Sequence, residues 1–203
     1  MLDRQSALAA ALRQPGRSGS EGNRSLRLGE VRGWNLAQVS AFASTSMELE
    51  RVVSAALGVT SLPGKVGMAG EAGARRIFRT GPEQFWVTAP LPDNLASRLQ
   101  EVVPAAMGAV TSLAHSRTRI FIEGEPAREV LARSIPLDFH PSAFVIGQFA
   151  LTGIHHTPVL IHRSGEQRYE IYAMRTFALS VWEWLTDAAL PFGYEVEAGN
   201  QDI

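Results

Sequence analysis

Apolar positions along this chain switch between two periods. At Ser46–Leu57 they recur every three or four residues. Leu49, Val52, Val53 and Leu57 share a face, which predicts an amphipathic helix. Gly33–Phe42 before it reads as a strand, and Gly58–Gly73 after it as a loop. Arg75–Arg79 and Gln84–Ala89 read as a hairpin around Thr80-Gly81-Pro82. Asp93 is placed to cap a helix running to about Val103, and Val110–Ala114 is a short strand. The order then restarts. Arg119–Glu123 is a strand, and Pro126 opens a helix to Arg133. Gly147–Ile154, Val159–Arg163 and Tyr169–Met174 are strands, the last two joined through Ser164-Gly165. A helix over Phe177–Leu190 and a strand at Phe192–Val196 complete the series.

The restart has an echo in the residues. Leu49–Pro63 lies without gaps on Ala127–Pro141, matching Val52 with Val130, Val53 with Leu131, Leu57 with Ile135, Val59 with Leu137 and Pro63 with Pro141. The hairpins GPEQFWVTAP (Gly81–Pro90) and GEQRYEIYAMR (Gly165–Arg175) each precede a helix. The expectation is an α+β fold of two related β-α-β-β-α-β halves, about 26–114 and 115–203. An N-terminal arm, residues 1–25, precedes them. Its segment Ser6–Leu12 is too short and poorly flanked for a signal peptide. It reads instead as a short helix, about Ser6–Arg13, followed by a flexible stretch, Gln14–Ser25, and the whole arm is expected to be loose alone, flexible or partner-ordered.

Composition narrows the function classes. In 203 residues, 45% are hydrophobic and 19% charged, with a net charge of −1. That balance gives no electrostatic footprint for nucleic acid. No apolar run approaches the roughly 20 residues of a membrane span. There is no cysteine, which excludes disulfides, thiolate nucleophiles and Cys-type zinc sites. Lys65 is the only lysine, so Schiff-base chemistry has one candidate.

Three features look chemical. In LARSIPLDFHPSAF, Asp138 lies two residues before His140, between Pro136 and Pro141. A general-base dyad needs the carboxylate to orient the imidazole. The favoured reading is a rigid helix exit, with Asp138 bonding backbone N–H groups and Ile135, Leu137 and Phe139 turned into the core. The first-half echo carries Thr60 and Leu62 at those positions, a turn without the dyad. His155, His156 and His162 lie on or beside a hairpin, and His156 and His162 are candidates to share a face. A zinc site wants three or four convergent ligands, so rim histidines are the better reading. Gly64–Gly73 sets a glycine at every third position around Lys65, with Arg75 and Arg76 following. It lacks the Gly-Lys-Ser/Thr of a phosphate loop, and a surface loop is favoured over a phosphate or folate-tail contact. No catalytic, cofactor-binding or metal residues are assigned in this chain.

The last helix carries another kind of signal. Phe177, Val181, Leu185 and Ala188 centre its apolar face, and Ser180, Glu183 and Asp187 its polar stripe. Leu179 and Leu190 fall outside the apolar face. Trp182 and Trp184 lie on opposite flanks. Two readings stand: both tryptophans pack internally, or one completes the core while the other meets a partner.

HSRTRIFIEGEPAREVLARSIPLDFHPSAF (His115–Phe144) resembles the central signature of the gamma subunit family of heterotetrameric sarcosine oxidase, with Phe139 replacing the usual leucine. MRTFALSVWEWLTDAALPFG (Met174–Gly193) resembles that family's C-terminal helix, and GPEQFWVTAP its first-half hairpin. The resemblance spans about Leu26–Gly193. It implies a fold resembling that of folate-binding aminomethyltransferases, a cytoplasmic location and a non-catalytic role. The implied partners are alpha, beta and delta subunits, which would carry FAD, FMN, NAD, tetrahydrofolate and zinc. The assembly would oxidatively demethylate sarcosine or a related N-methyl amine. Two alternatives stand beside it: a folate-dependent aminomethyl transferase or folate-binding module, and a free-standing small-molecule binding module.

Overall fold

The computed structural model describes residues 5–13, 26–42 and 44–201. The expected flexible stretch Gln14–Ser25 lies outside the described residues. Two compact units emerge from the chain. One is the contiguous segment Gly33–His115; the other combines the residues up to Arg32 with Ser116–Gln201.

The contiguous unit runs β2 (Trp34–Ala41), α1 (Ser46–Leu57), β3 (Ala69–Ala72), β4 (Arg75–Gly81), β5 (Gln84–Pro90), α2 (Leu95–Val102), β6 (Gly108–Ser112). Its five-stranded sheet has the order β3-β4-β5-β2-β6, and every neighbouring pair is antiparallel. Helix α1 buries Leu49, Val53 and Leu57, spaced by four, as its pattern requires. It stops where Gly58 adopts φ 71° and returns its N–H to Ala55 O, a backbone conformation that glycine takes without a Cβ clash. These residues share a core with Phe85, Val87, Leu95 and Leu99.

The second unit runs β7 (Arg117–Glu123), α3 (Ala127–Ser134), β8 (Phe149–Ile154), β9 (Thr157–Arg163), β10 (Arg168–Met174), α4 (Ala178–Ala189) and β11 (Glu195–Gln201), with β1 (Arg27–Arg32) contributed from upstream. Its sheet has the order β11-β1-β7-β10-β9-β8. Strand β1 is parallel to β11 and antiparallel to β7. Removing β1 leaves an order that corresponds strand for strand to the other unit. The core on the helix side holds Leu26, Leu28, Ile120, Ile122, Tyr169, Ile171, Val181, Trp182 and Leu185.

Three expectations change. Each unit carries three strands between its helices, because β3 forms inside the segment expected as a loop. Its sequence, Ala-Gly-Glu-Ala, has no apolar alternation; pairing with β4 makes it a strand. Second, the segment 26–32, expected in the first half, pairs into the second unit's sheet as β1. Gly29 permits this: a Cβ there would lie 2.5 Å from the Phe121 ring and 2.7 Å from Glu197 O. Third, the described part of the N-terminal arm is no loose helix. Gln5–Arg13 is a turn leading into a 3-10 turn at Ala11–Arg13, and Leu8 and Leu12 are buried in the second unit's core. Ser6 Oγ donates to the buried Glu30 carboxylate of β1, which fixes the segment to the sheet.

Candidate functional site

The Asp138–His140 turn follows directly from how α3 ends. Ile135 leaves the helix in extended conformation (φ −124°, ψ 124°), as a residue before proline must. Asp138 Oδ1 then accepts the backbone N–H of His140 at 2.8 Å, which closes the turn. Its carboxylate is thereby directed at the backbone. The imidazole Nδ1 faces Ser142 Oγ at 2.7 Å. A hydrolytic triad places the histidine between carboxylate and hydroxyl, each on its own ring nitrogen. Here the three residues form a run of local turn bonds, with Asp138, His140 and Ser142 all exposed. Phe139 is the buried member, edge-on to Phe144 and Tyr169 with ring centroids 5.7 Å away in each case. The first unit uses a different plug: Leu62 is buried there and Ser61 exposed, so the echo shifts by one residue in its packing.

A shallow cavity of about 580 Å³ lies beside this turn, lined by Glu125, Arg128, Glu129, Leu137 and Phe192 among others. Arg133 stacks over Phe192 at 4.6 Å and pairs with Glu129 at 2.8 Å. The lining mixes both signs of charge and converges on no single point. Beneath it, Tyr169 is fully buried and its hydroxyl has no hydrogen-bond partner among the described residues. Burial pushes that phenol's pKa up, against the opposing pull of Arg163 and Arg128.

The histidines do not come together. His155 and His156 form the two-residue turn between β8 and β9, both in the left-handed region (φ 42° and 70°). His155 rests on the Trp184 ring at 4.8 Å. His162 lies at the far end of β9, buried, 3.8 Å from Glu170. Among the described residues, no group of three or more His, Cys, Asp or Glu side chains is placed to hold a metal. In the glycine-rich segment, Gly67 and Gly73 take positive φ around β3, and Lys65 is exposed. Arg75 is committed to Asp93 at 2.6 Å, which also receives Arg98 at 3.1 Å. Asp93 is therefore a strand-to-helix tie; Asn94 takes the N-cap position expected for it.

One charged cluster was not foreseen in the sequence. Arg119 on β7 and Glu170 on β10 form a forked pair at 2.9 Å, with side chains 1% and 0% exposed. Tyr172 OH donates to the same carboxylate at 3.3 Å. Burying two ions costs several kcal/mol of desolvation, which only such multiple bonding offsets. The available signal was a pair of charges two residues apart at the start of strands otherwise reading as core, Arg117 and Arg119 in RTRIFIE and Arg168 and Glu170 in RYEIYAM.

Helix α4 offers the second candidate surface. Ala178, Val181, Trp182, Leu185 and Ala189 face the core. Trp182 is buried and Trp184 half-buried against the same core. Phe177, expected at the centre of the apolar face, is exposed because it precedes the helix in a non-helical conformation. Leu179 and Leu190 are 47% and 41% exposed. Among the described residues, no helix is long and apolar enough to cross a membrane.

The sequence pattern of the sarcosine oxidase, gamma subunit family matches residues 43–190. The chain belongs to that family. The sarcosine oxidase subunit gamma of an Arthrobacter species is 35% identical over 141 residues, 69% of each chain. That of Corynebacterium sp. (strain U-96) is 33% identical over 141 residues, 69% of this chain and 68% of the relative. The likeness extends to three dimensions. A chain of the heterotetrameric sarcosine oxidase from Corynebacterium sp. U-96, solved with pyrrole 2-carboxylate, superposes with TM-score 0.81 at 29% identity. The match covers 91% of this chain and 94% of that one. The glycine cleavage system aminomethyltransferase T from Bartonella henselae shares the fold alone, with TM-score 0.62 at 19% identity over 87% of this chain and 48% of that chain. The family blocks noted in the sequence fall on β7, α3 and the Asp138 turn, on α4, and on the β4–β5 turn together with β5.

Proposed function

We propose that this chain is the gamma subunit of a heterotetrameric sarcosine oxidase, a non-catalytic part that stabilises the assembly. The observation that carries the reading is the joint agreement of sequence family and whole-chain fold with a chain of that oxidase. Its partners are then the alpha, beta and delta subunits. FAD, FMN, NAD, tetrahydrofolate and zinc belong to those subunits, and the flavin takes the hydride equivalent from the substrate's N–CH3 group. The chain's own chemistry agrees with this division. Its Asp-His-Ser turn spends its bonds on closing a local turn, and its Arg119–Glu170 ion pair is sealed inside a sheet. We read the two units as related halves, each β-α-β-β-β-α-β, since their strand orders correspond once β1 is set aside.

Co-expression with the other three subunits tests the reading. The expected result is a stoichiometric complex that oxidises sarcosine, while the chain purified alone shows neither flavin absorbance nor amine oxidation. Turnover by the lone chain, or a fully active and stable oxidase assembled without it, would overturn the assignment. Within the complex, His140→Ala should leave turnover within about twofold of wild type, as a turn residue that touches no reacting atom would.

A further inference from the structure

The outer face of α4 breaks two local rules at once. Leu179, Glu183, Asp187 and Leu190 fall within about 80° of arc at 100° per residue. Leu190 keeps helical angles (φ −48°, ψ −45°), so it continues the face. Glu183 and Asp187 are like charges one turn apart, an arrangement that destabilises a helix. Asp187 also lies in the last turn, at the negative end of the helix dipole, where a cation is favoured. The helix has no basic residue in that turn, and none anywhere along Ala178–Ala189. Among the described residues, neither carboxylate has a hydrogen bond or ion pair. Two half-exposed leucines bracket this acidic pair. Exposed apolar residues around uncompensated charge are what a chain retains when something outside it supplies the complement.

We propose that this face is where another subunit of the oxidase assembly docks. That subunit presents arginine or lysine side chains to Glu183 and Asp187, and apolar sockets to Leu179 and Leu190. The proposal rests on the reading of the chain as an assembly subunit. Charge selects the occupant. A second copy of this chain packed face to face would bring four carboxylates together, whereas a basic surface removes both the intrahelical repulsion and the unfavourable dipole contact.

The test is competition during assembly. Tagged wild-type chain and an untagged variant are co-expressed with the other three subunits, and the ratio incorporated is read by intact-mass spectrometry. Glu183→Arg/Asp187→Arg should be incorporated at least tenfold less than wild type. Leu179→Ala/Leu190→Ala should lose severalfold. The milder Glu183→Gln/Asp187→Asn should fall between wild type and the reversal, and it covers the case of a charge reversal that folds poorly. Equal incorporation of both charge variants and of the leucine variant, with wild-type complex formed normally, overturns the docking face and leaves the subunit reading intact. Absence of any wild-type complex overturns both. A dimer of the chain alone that the charge reversal abolishes assigns the face to a second copy and also overturns the proposal.

Discussion

Helices α2 and α4 occupy the same place in their units, after the third strand of the run, and they treat their polar side chains differently. Helix α2 buries only Leu95 and Leu99. Its Arg98 reaches Asp93 at 3.1 Å, and its Gln100 donates to Val110 O at 3.2 Å. Those polar groups are answered inside the unit. Helix α4 buries five side chains, including a tryptophan, and leaves its two carboxylates unanswered between exposed leucines. One helix ties its arginine and its glutamine into its own unit, while its one carboxylate, Glu101, is exposed without a described partner. The other has a stronger inner face and an unfinished outer one, the pattern of an element built to be covered on both sides.

That contrast can be broken by mutation. The largest effects should come from the inner faces. Trp182→Ala should destabilise the chain by about 3–5 kcal/mol, and Leu99→Ala by about 2–5 kcal/mol, measured by urea unfolding. If Leu99→Ala proved the costlier by a clear margin, the stronger inner face would belong to α2. Next comes Asp93→Ala, which leaves Arg75 and Arg98 without their shared carboxylate. A loss of about 1 kcal/mol is expected, and no measurable loss would mean that solvent satisfies α2's charges as well as the protein does. Beneath the turn that follows α3, Tyr169→Phe removes a buried hydroxyl without a described partner and should be neutral or stabilising by about 1 kcal/mol. The same residue gives a pH test. Its folded pKa is raised, so its stabilising contribution is complete below the ordinary tyrosine value near 10. That contribution is lost as pH rises from there through the folded value. The alkaline decline in stability should shrink in Tyr169→Phe. The smallest effect has the opposite sign: Asp187→Lys should stabilise the isolated chain by about 0.3–1 kcal/mol, because it replaces repulsion with attraction at the helix end. A destabilised Asp187→Lys variant would show that the carboxylate already has a role within the chain.

The sequence made some of this legible and hid the rest for identifiable reasons. Helix α1 was readable to its ends, since Leu49, Val53 and Leu57 set the period and Gly58 terminates it. The β4–β5 and β9–β10 pairs were readable because their turns carry Gly-Pro and Ser-Gly signals. Strand β1 was not, because Gly29 and Glu30 interrupt its alternation and its partners lie at 117–123 and 195–201. Asp93 has the composition of a cap, and only the folded hairpin brings Arg75 to it. The Arg119–Glu170 pair joins residues 51 positions apart, and no local pattern announces which strand will lie beside which. Of the candidate surfaces, the leucines of α4 were visible from spacing alone. That Asp187 lacks a partner required the rest of the unit.

Strand β1 imposes an order on the birth of the molecule. A ribosome delivers it before Gly33–His115, a unit whose strands and helices are all contiguous and free to pair as they emerge. Both neighbours of β1 come later, and the sheet around it cannot close until β11 has been made. Until β7 emerges the opening strand has two bare edges, and one stays bare until β11 follows, so a nascent chain stalled before residue 195 presents a ready template for the wrong strand.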